Sequence, residues 1–163
     1  MIEVAGALPR RMVDPKLAAL LRTTDAAAPL VVRLTLGAVM FPHGAQKLLG
    51  WFGGYGFSGT MGFFTGTMHV PAPLAFLVIM AESFGALLLL AGAFTRVAAA
   101  GIGAVMLGAI ALTHAPHGFF MNWFGNQAGE GFEYHLLVLG MAAALVIAGG
   151  GRASVDRAIA PEA

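Results

Sequence analysis

Four stretches of mostly apolar residues, at about 29–49, 73–94, 97–115 and 132–149, dominate the chain. A helix needs about 20 such residues to cross the hydrocarbon core of a bilayer. Backbone polar groups in lipid must be satisfied within the segment, which leaves helices or closed barrels as the spanning structures. The expected fold is therefore an all-α integral membrane protein, an antiparallel bundle of four transmembrane helices within residues 29–150. Composition agrees: the chain is 58% hydrophobic and 10% charged, where a soluble domain has about 25% charged residues. The net charge of +1 gives no reason to expect nucleic acid as a partner.

There is no cysteine. That excludes a thiol–disulfide relay, thiolate metal ligation and Fe–S ligation by this chain. Any redox role must use a bound cofactor, N and O ligands, or a partner. Residues 1–28 form a separate N-terminal segment and residues 151–163 a tail. The N-terminal segment does not read as a cleavable signal peptide, because Arg10, Arg11, Asp14 and Lys16 break it without an apolar core. Asp14-Pro15 predicts a helix start, with Asp as cap and Pro at the first helical position. Leu17, Leu20 and Leu21 then share one face of a short amphipathic helix lying at the membrane surface.

The links are informative. Trp51-Phe52-Gly53-Gly54-Tyr55-Gly56-Phe57 follows the first span, and Ser58 is expected to cap a short helix through Met68. Pro116 to Gly131 repeats the aromatic style with Phe119, Phe120, Trp123 and Phe124, as suits an interfacial belt. The second and third spans are joined by essentially Thr95-Arg96, which forces a hairpin. Small residues recur at every fourth position, Ala100, Ala104 and Gly108, then Gly140, Ala144 and Ala148, and are expected to let helices approach closely.

Positive charge in short loops marks the cytoplasmic side. Arg10, Arg11, Lys16, Arg22, Arg33, Arg96, Arg152 and Arg157 all fall on one side of a four-span topology, with Arg33 expected to snorkel back to the surface. Only Lys47 lies toward the other side. Both termini are thus expected in the cytoplasm. All five histidines, His43, His69, His114, His117 and His135, then collect in the outer half, with Glu130 and Glu133.

His43 and Lys47 are four residues apart and share a helix face beside Gln46. Pro42 removes one helix hydrogen bond and predicts a kink. Glu82 lies deep in the second span, where an ionisable group costs about 2.5–3.5 kcal/mol on insertion scales. It should face the interior and find Lys47 or His43. Thr113-His114 closes the third span and Glu133-Tyr134-His135 opens the fourth. Metal ligation is disfavoured, because the paired Glu-x-x-His motifs of di-iron bundles are missing. Quinone binding needs an apolar slot, aromatic walls and a donor for each carbonyl oxygen. His43, Gln46, Lys47, Glu82, His114, Glu133, Tyr134 and His135 are the candidate head-group residues. A purely structural ion-pair network is the competing reading.

These residues also resemble a known family. His43-Gly44-Ala45-Gln46-Lys47-Leu48, Phe52-Gly53-Gly54-Tyr55-Gly56, Met61-Gly62-Phe63-Phe64, Ala81-Glu82 with Gly85, and Gly131-Phe132-Glu133-Tyr134-His135-Leu136 are similar to motifs of the DoxX family of small bacterial membrane proteins. The resemblance covers about residues 29–150. It implies a four-helix fold in the bacterial inner membrane and a role as the membrane part of a redox or detoxification complex. The leading expectation is a quinone-linked oxidoreductase subunit that docks a protein partner on its outer face. A non-catalytic scaffold or assembly factor, and a small proton or solute channel requiring a homo-oligomer, are the alternatives.

Overall fold

The computed structural model describes residues 14–160, and every regular element among them is helical. The elements are α1 (Pro15–Leu21), α2 (Ala27–Leu49), α3 (Gly56–Gly62), α4 (Ala72–Ala91), α5 (Thr95–Ala109), α6 (Glu133–Ala148) and α7 (Val155–Ile159). A π-helical turn, Phe63–Thr67, extends α3. A second one, Ile110–His114, and a 3₁₀ turn, Ala115–His117, carry α5 onward. Arg10 and Arg11 lie outside the described residues.

Among the described residues, three helical paths are long and apolar enough to cross a membrane: Ala27–Leu49, Ala72–Ala91 and Thr95–His117. At 1.5 Å per residue the 20-residue α4 is about 30 Å long, one hydrocarbon thickness. The fourth apolar helix, α6, has 16 residues and reaches only about 24 Å. The protein is thus an all-α membrane protein with three helices of full spanning length and a shorter apolar fourth.

Side-chain contacts fix how the four long helices lie. Arg33 reaches the α4 residues Leu89 and Leu90, while Lys47 meets Glu82, so α2 and α4 run in opposite directions. Arg96 meets Val146 and His114 meets His135, so α5 and α6 also do. One end of the bundle therefore gathers the arginines and the other gathers the histidines.

The core between the helices is built from Leu36, Met40, Ala86, Leu89, Ala99, Ile102, Met106 and Leu145. Large apolar side chains such as Leu77 (59% exposed), Leu107 (60%) and Ile147 (78%) point outward. An outer surface of this kind suits lipid, where apolar contact is no penalty. The small-residue stripes turn out differently from expectation. Ala100, Ala104, Gly140 and Ala144 face outward, and α5 meets α6 instead where Gly103 lies against Ala142. Spacing alone marks a stripe, whereas the neighbouring helices decide which face is covered.

Three further expectations are corrected. Arg33 does not snorkel: it is 1% exposed and wholly engaged within the protein. The hairpin link is not Thr95-Arg96, because those residues form the first turn of α5. The chain turns at Gly92, whose φ of +67° places it in the left-handed region that glycine enters without strain. Ser58 is not a cap either, since α3 has already begun at Gly56.

The N-terminal helix starts at the cap the residues announce. Asp14 Oδ1 accepts from the Lys16 and Leu17 amides at 2.9 and 3.2 Å. Leu21 is buried while Leu17 and Leu20 stay partly exposed, so α1 docks by its last turn. Through Pro42, α2 runs on as one helix.

Candidate functional site

The arginine end is locked by a buried polar network that the residues alone did not reveal. Arg33 Nε donates to the Gly150 carbonyl at 2.9 Å. Its Nη1 donates to Leu89 and Leu90 at 3.0 and 2.7 Å, and its Nη2 to Arg152 and Ala153 at 3.4 and 2.6 Å. A guanidinium carries five N–H donors, and here each has a carbonyl. The acceptors include two carbonyls in the last turn of α4, an end that a cation also favours through the helix dipole. Asp156 supplies the compensating charge. Its carboxylate accepts from the Phe94 and Thr95 amides at 2.6 and 2.8 Å and so caps α5. Thr23 Oγ1 accepts from Gly151 N at 2.6 Å and completes the seal over the chain after α6.

The histidine end is built from a close helix crossing. A Cβ on Gly44 would lie 2.5 Å from the Ser83 Cα, so only glycine lets α2 and α4 approach this far. Ser83 Oγ donates to the Gly44 carbonyl at 3.0 Å. One turn further along α2, Lys47 Nζ lies 2.5 Å from Glu82 Oε2. Oε2 is buried and the approach lacks the angle of a directed hydrogen bond, so the contact is an ion pair. The Lys47 side chain is 23% exposed and that of Glu82 5%. His43, one turn before Lys47 on α2, is exposed.

On the other side of the bundle, the imidazoles of His114 and His135 lie against each other with centroids 4.1 Å apart and planes tilted by 42°. The π-helical turn Ile110–His114 delivers His114 to this position. Such turns rotate the residues that follow and are frequent at functional sites. His114 Nδ1 donates to the Glu130 carbonyl at 2.9 Å, since a carbonyl only accepts. His135 Nδ1 is buried and makes no hydrogen bond among the described residues. Leaving such an atom unsatisfied costs about 1–3 kcal/mol.

Of the eight candidate residues, four meet in two pairs, Lys47 with Glu82 and His114 with His135, and His43 stands one turn before Lys47 on α2. The other three shape the surrounding loops. Gln46 Nε2 donates to the Phe52 carbonyl at 3.2 Å and holds the turn after α2. Glu133 Oε1 accepts from Met121 N at 2.9 Å. Tyr134 packs edge-on against Trp123 with centroids 5.8 Å apart. Glu130 repeats the role of Glu133, accepting from Asn122 N at 2.7 Å. His117 lies over Gly129, where a Cβ would come within 2.5 Å of its Nε2. His69 stands in the link before α4. Among the described residues no group of three or more His, Asp or Glu side chains is placed to hold a metal ion.

Apolar outward faces on helices of spanning length, with the Lys47–Glu82 and His114–His135 pairs at one end, define a multi-pass membrane protein. The DoxX family model matches residues 28–115, more than half of the chain, and the chain belongs to the DoxX family. The match takes in His43, Lys47, Glu82 and His114, while Glu133, Tyr134 and His135 lie beyond it. Comparison with curated proteins and with solved structures returns no match.

Proposed function

We propose that the protein is a four-span subunit of a redox complex in a bacterial cytoplasmic membrane, with a quinone head-group site in its histidine half. The basic residues Lys16, Arg22, Arg33, Arg96, Arg152 and Arg157 stand at one end and support an orientation with both termini inside. The 16-residue α6 completes the fourth crossing with help from Phe132 and the structured loop before it.

The observation that carries the head-group reading is His135 Nδ1, a buried ring nitrogen that has no hydrogen-bond partner among the described residues and whose ring lies against His114. A quinone would supply the electron acceptor. Lys47 and His43 can donate to one carbonyl oxygen and His135 to the other, in a setting where few polar groups fix the orientation of an apolar ligand. Glu82, paired with Lys47, can take up or release a proton as the ligand's charge changes. The partner that delivers electrons would dock on the aromatic loops, where Phe120 is 67% exposed, Trp123 69% and Phe124 90%.

Extraction of lipids from the purified full chain, followed by quantification of quinone, tests this directly. A quinone recovered near one per chain, and lost in His135→Ala with the protein still folded, is the expected outcome. Absence of quinone, together with no binding of a short-chain analogue, would sink it. The closed Lys47–Glu82 pair favours a second reading, a scaffold in which the cluster only fixes helix packing. In that case Glu82→Gln alters stability and partner recovery but not quinone content.

A further inference from the structure

The opposite end holds a feature that the head-group reading does not use. An open cavity of about 360 Å³ is lined by Arg22, Thr23, Thr24, Arg96, Ile147 and Ala148. Because α5 begins at Thr95 and α6 ends at Ala148, the cavity lies where the apolar helices meet water. Arg96 is pinned at its edge. Its Nε and Nη2 donate to the Arg22 carbonyl at 3.3 and 3.0 Å, and its Nη1 donates to the Val146 carbonyl. A guanidinium has five donors, so some remain for a ligand, and the side chain is already ordered before one arrives.

The charges around the cavity are unbalanced. Arg22 is exposed, and among the described residues neither Arg22 nor Arg96 has a carboxylate partner. The nearest acid in sequence, Asp25, is engaged by Arg152 and Arg157. Asp156 is committed to the amides of Phe94 and Thr95. The Thr24 residue is exposed at the same rim. The other wall is apolar, and its Ile147 is 78% exposed.

We infer that this cavity binds the head group of an anionic phospholipid, with the phosphate between Arg22 and Arg96 and an acyl chain along Ile147. Guanidinium forks match phosphate oxygens in geometry as well as charge. A soluble phosphate ester would use the arginines and leave the apolar wall uncovered, whereas a lipid uses both. The inference rests on the membrane reading and is independent of the quinone site.

Native mass spectrometry of the full chain in detergent, with phosphatidylglycerol or phosphatidylcholine of equal chain length, provides the test. Phosphatidylglycerol should be retained preferentially. Arg22→Gln, whose side chain makes no hydrogen bond to the rest of the described protein, should weaken that retention about fivefold, the scale of one arginine near an anionic surface. Lys16→Gln removes a charge outside the cavity and should change it little, and Glu82→Gln should leave it intact. Equal retention of the two lipids overturns the proposal. So does an equal loss in the Lys16 and Arg22 variants, which would mean a diffuse surface field. Displacement of the lipid by millimolar glycerol 1-phosphate would assign the site to a soluble phosphate instead.

Discussion

Lys47 and Glu82 form an ion pair across the α2–α4 crossing, with Nζ 2.5 Å from Oε2, and Gly44 makes that pair possible. The two helices touch backbone to backbone at Gly44 and Ser83, one turn before the charges meet. The charge pair is therefore a consequence of a missing side chain elsewhere on α2.

Removing one partner leaves the other buried and alone. Breaking such a pair costs about 3–5 kcal/mol when both ends are buried, and the partly exposed Lys47 points to the lower end of that range. Lys47→Met should therefore lower stability by about 3 kcal/mol. The double variant Lys47→Met with Glu82→Met should recover most of the loss. Thermal unfolding in detergent, followed by tryptophan fluorescence, checks this; strictly additive losses would argue against the pairing.

Gly44→Ala should separate α2 from α4. Its Cβ would meet Ser83 Cα at 2.5 Å, a backbone atom that cannot turn aside. The expected cost is about 1–3 kcal/mol or more, and under the proposed head-group reading quinone recovery should fall with it. Gly140→Ala is the matched control. Nothing lies within 4 Å of its added methyl, so it should be neutral or slightly stabilising.

Arg33→Lys should behave as a severe substitution despite keeping the charge. An ammonium has three donors and cannot serve the five carbonyl contacts that Arg33 makes. A loss of about 2 kcal/mol or more is expected. Limited proteolysis should then cut the segment after α6 first. An unchanged cleavage pattern would remove Arg33 as its anchor.

Glu133→Ala should loosen the loop between α5 and α6 without dismantling the bundle. The Met121 amide loses a charged acceptor at 2.9 Å, worth about 1.5–3 kcal/mol. Hydrogen exchange at Met121 should accelerate by about tenfold or more, while exchange in the α2–α4 crossing stays unchanged. Equal acceleration in both places would mean that Glu133 supports the whole fold.

Much of the helical layout was legible in the residues. Each apolar stretch forms a helix, and Asp14 caps α1 as its position before Pro15 announces. The pairing of Glu82 with Lys47 was among the options that burial of a carboxylate in an apolar span left open. Glu133 reads from the residues as a head-group candidate, and in the fold its Oε1 accepts from a loop amide. Its place at the start of an apolar helix is the same under either role. Asp156 carries no sign of its role, because nothing near it in sequence shows that α5 needs a cap.

The chain by itself determined where apolar helices form and which end carries the arginines, since hydropathy and charge are properties of neighbouring residues and add up along the segment. Tertiary structure alone decided which polar groups face each other and which are used up internally. Arg33 illustrates the reason: its acceptors lie between 56 and 120 residues away in sequence. A buried charge is stable only if distant backbone is brought to it, and only the packed bundle shows whether that has happened.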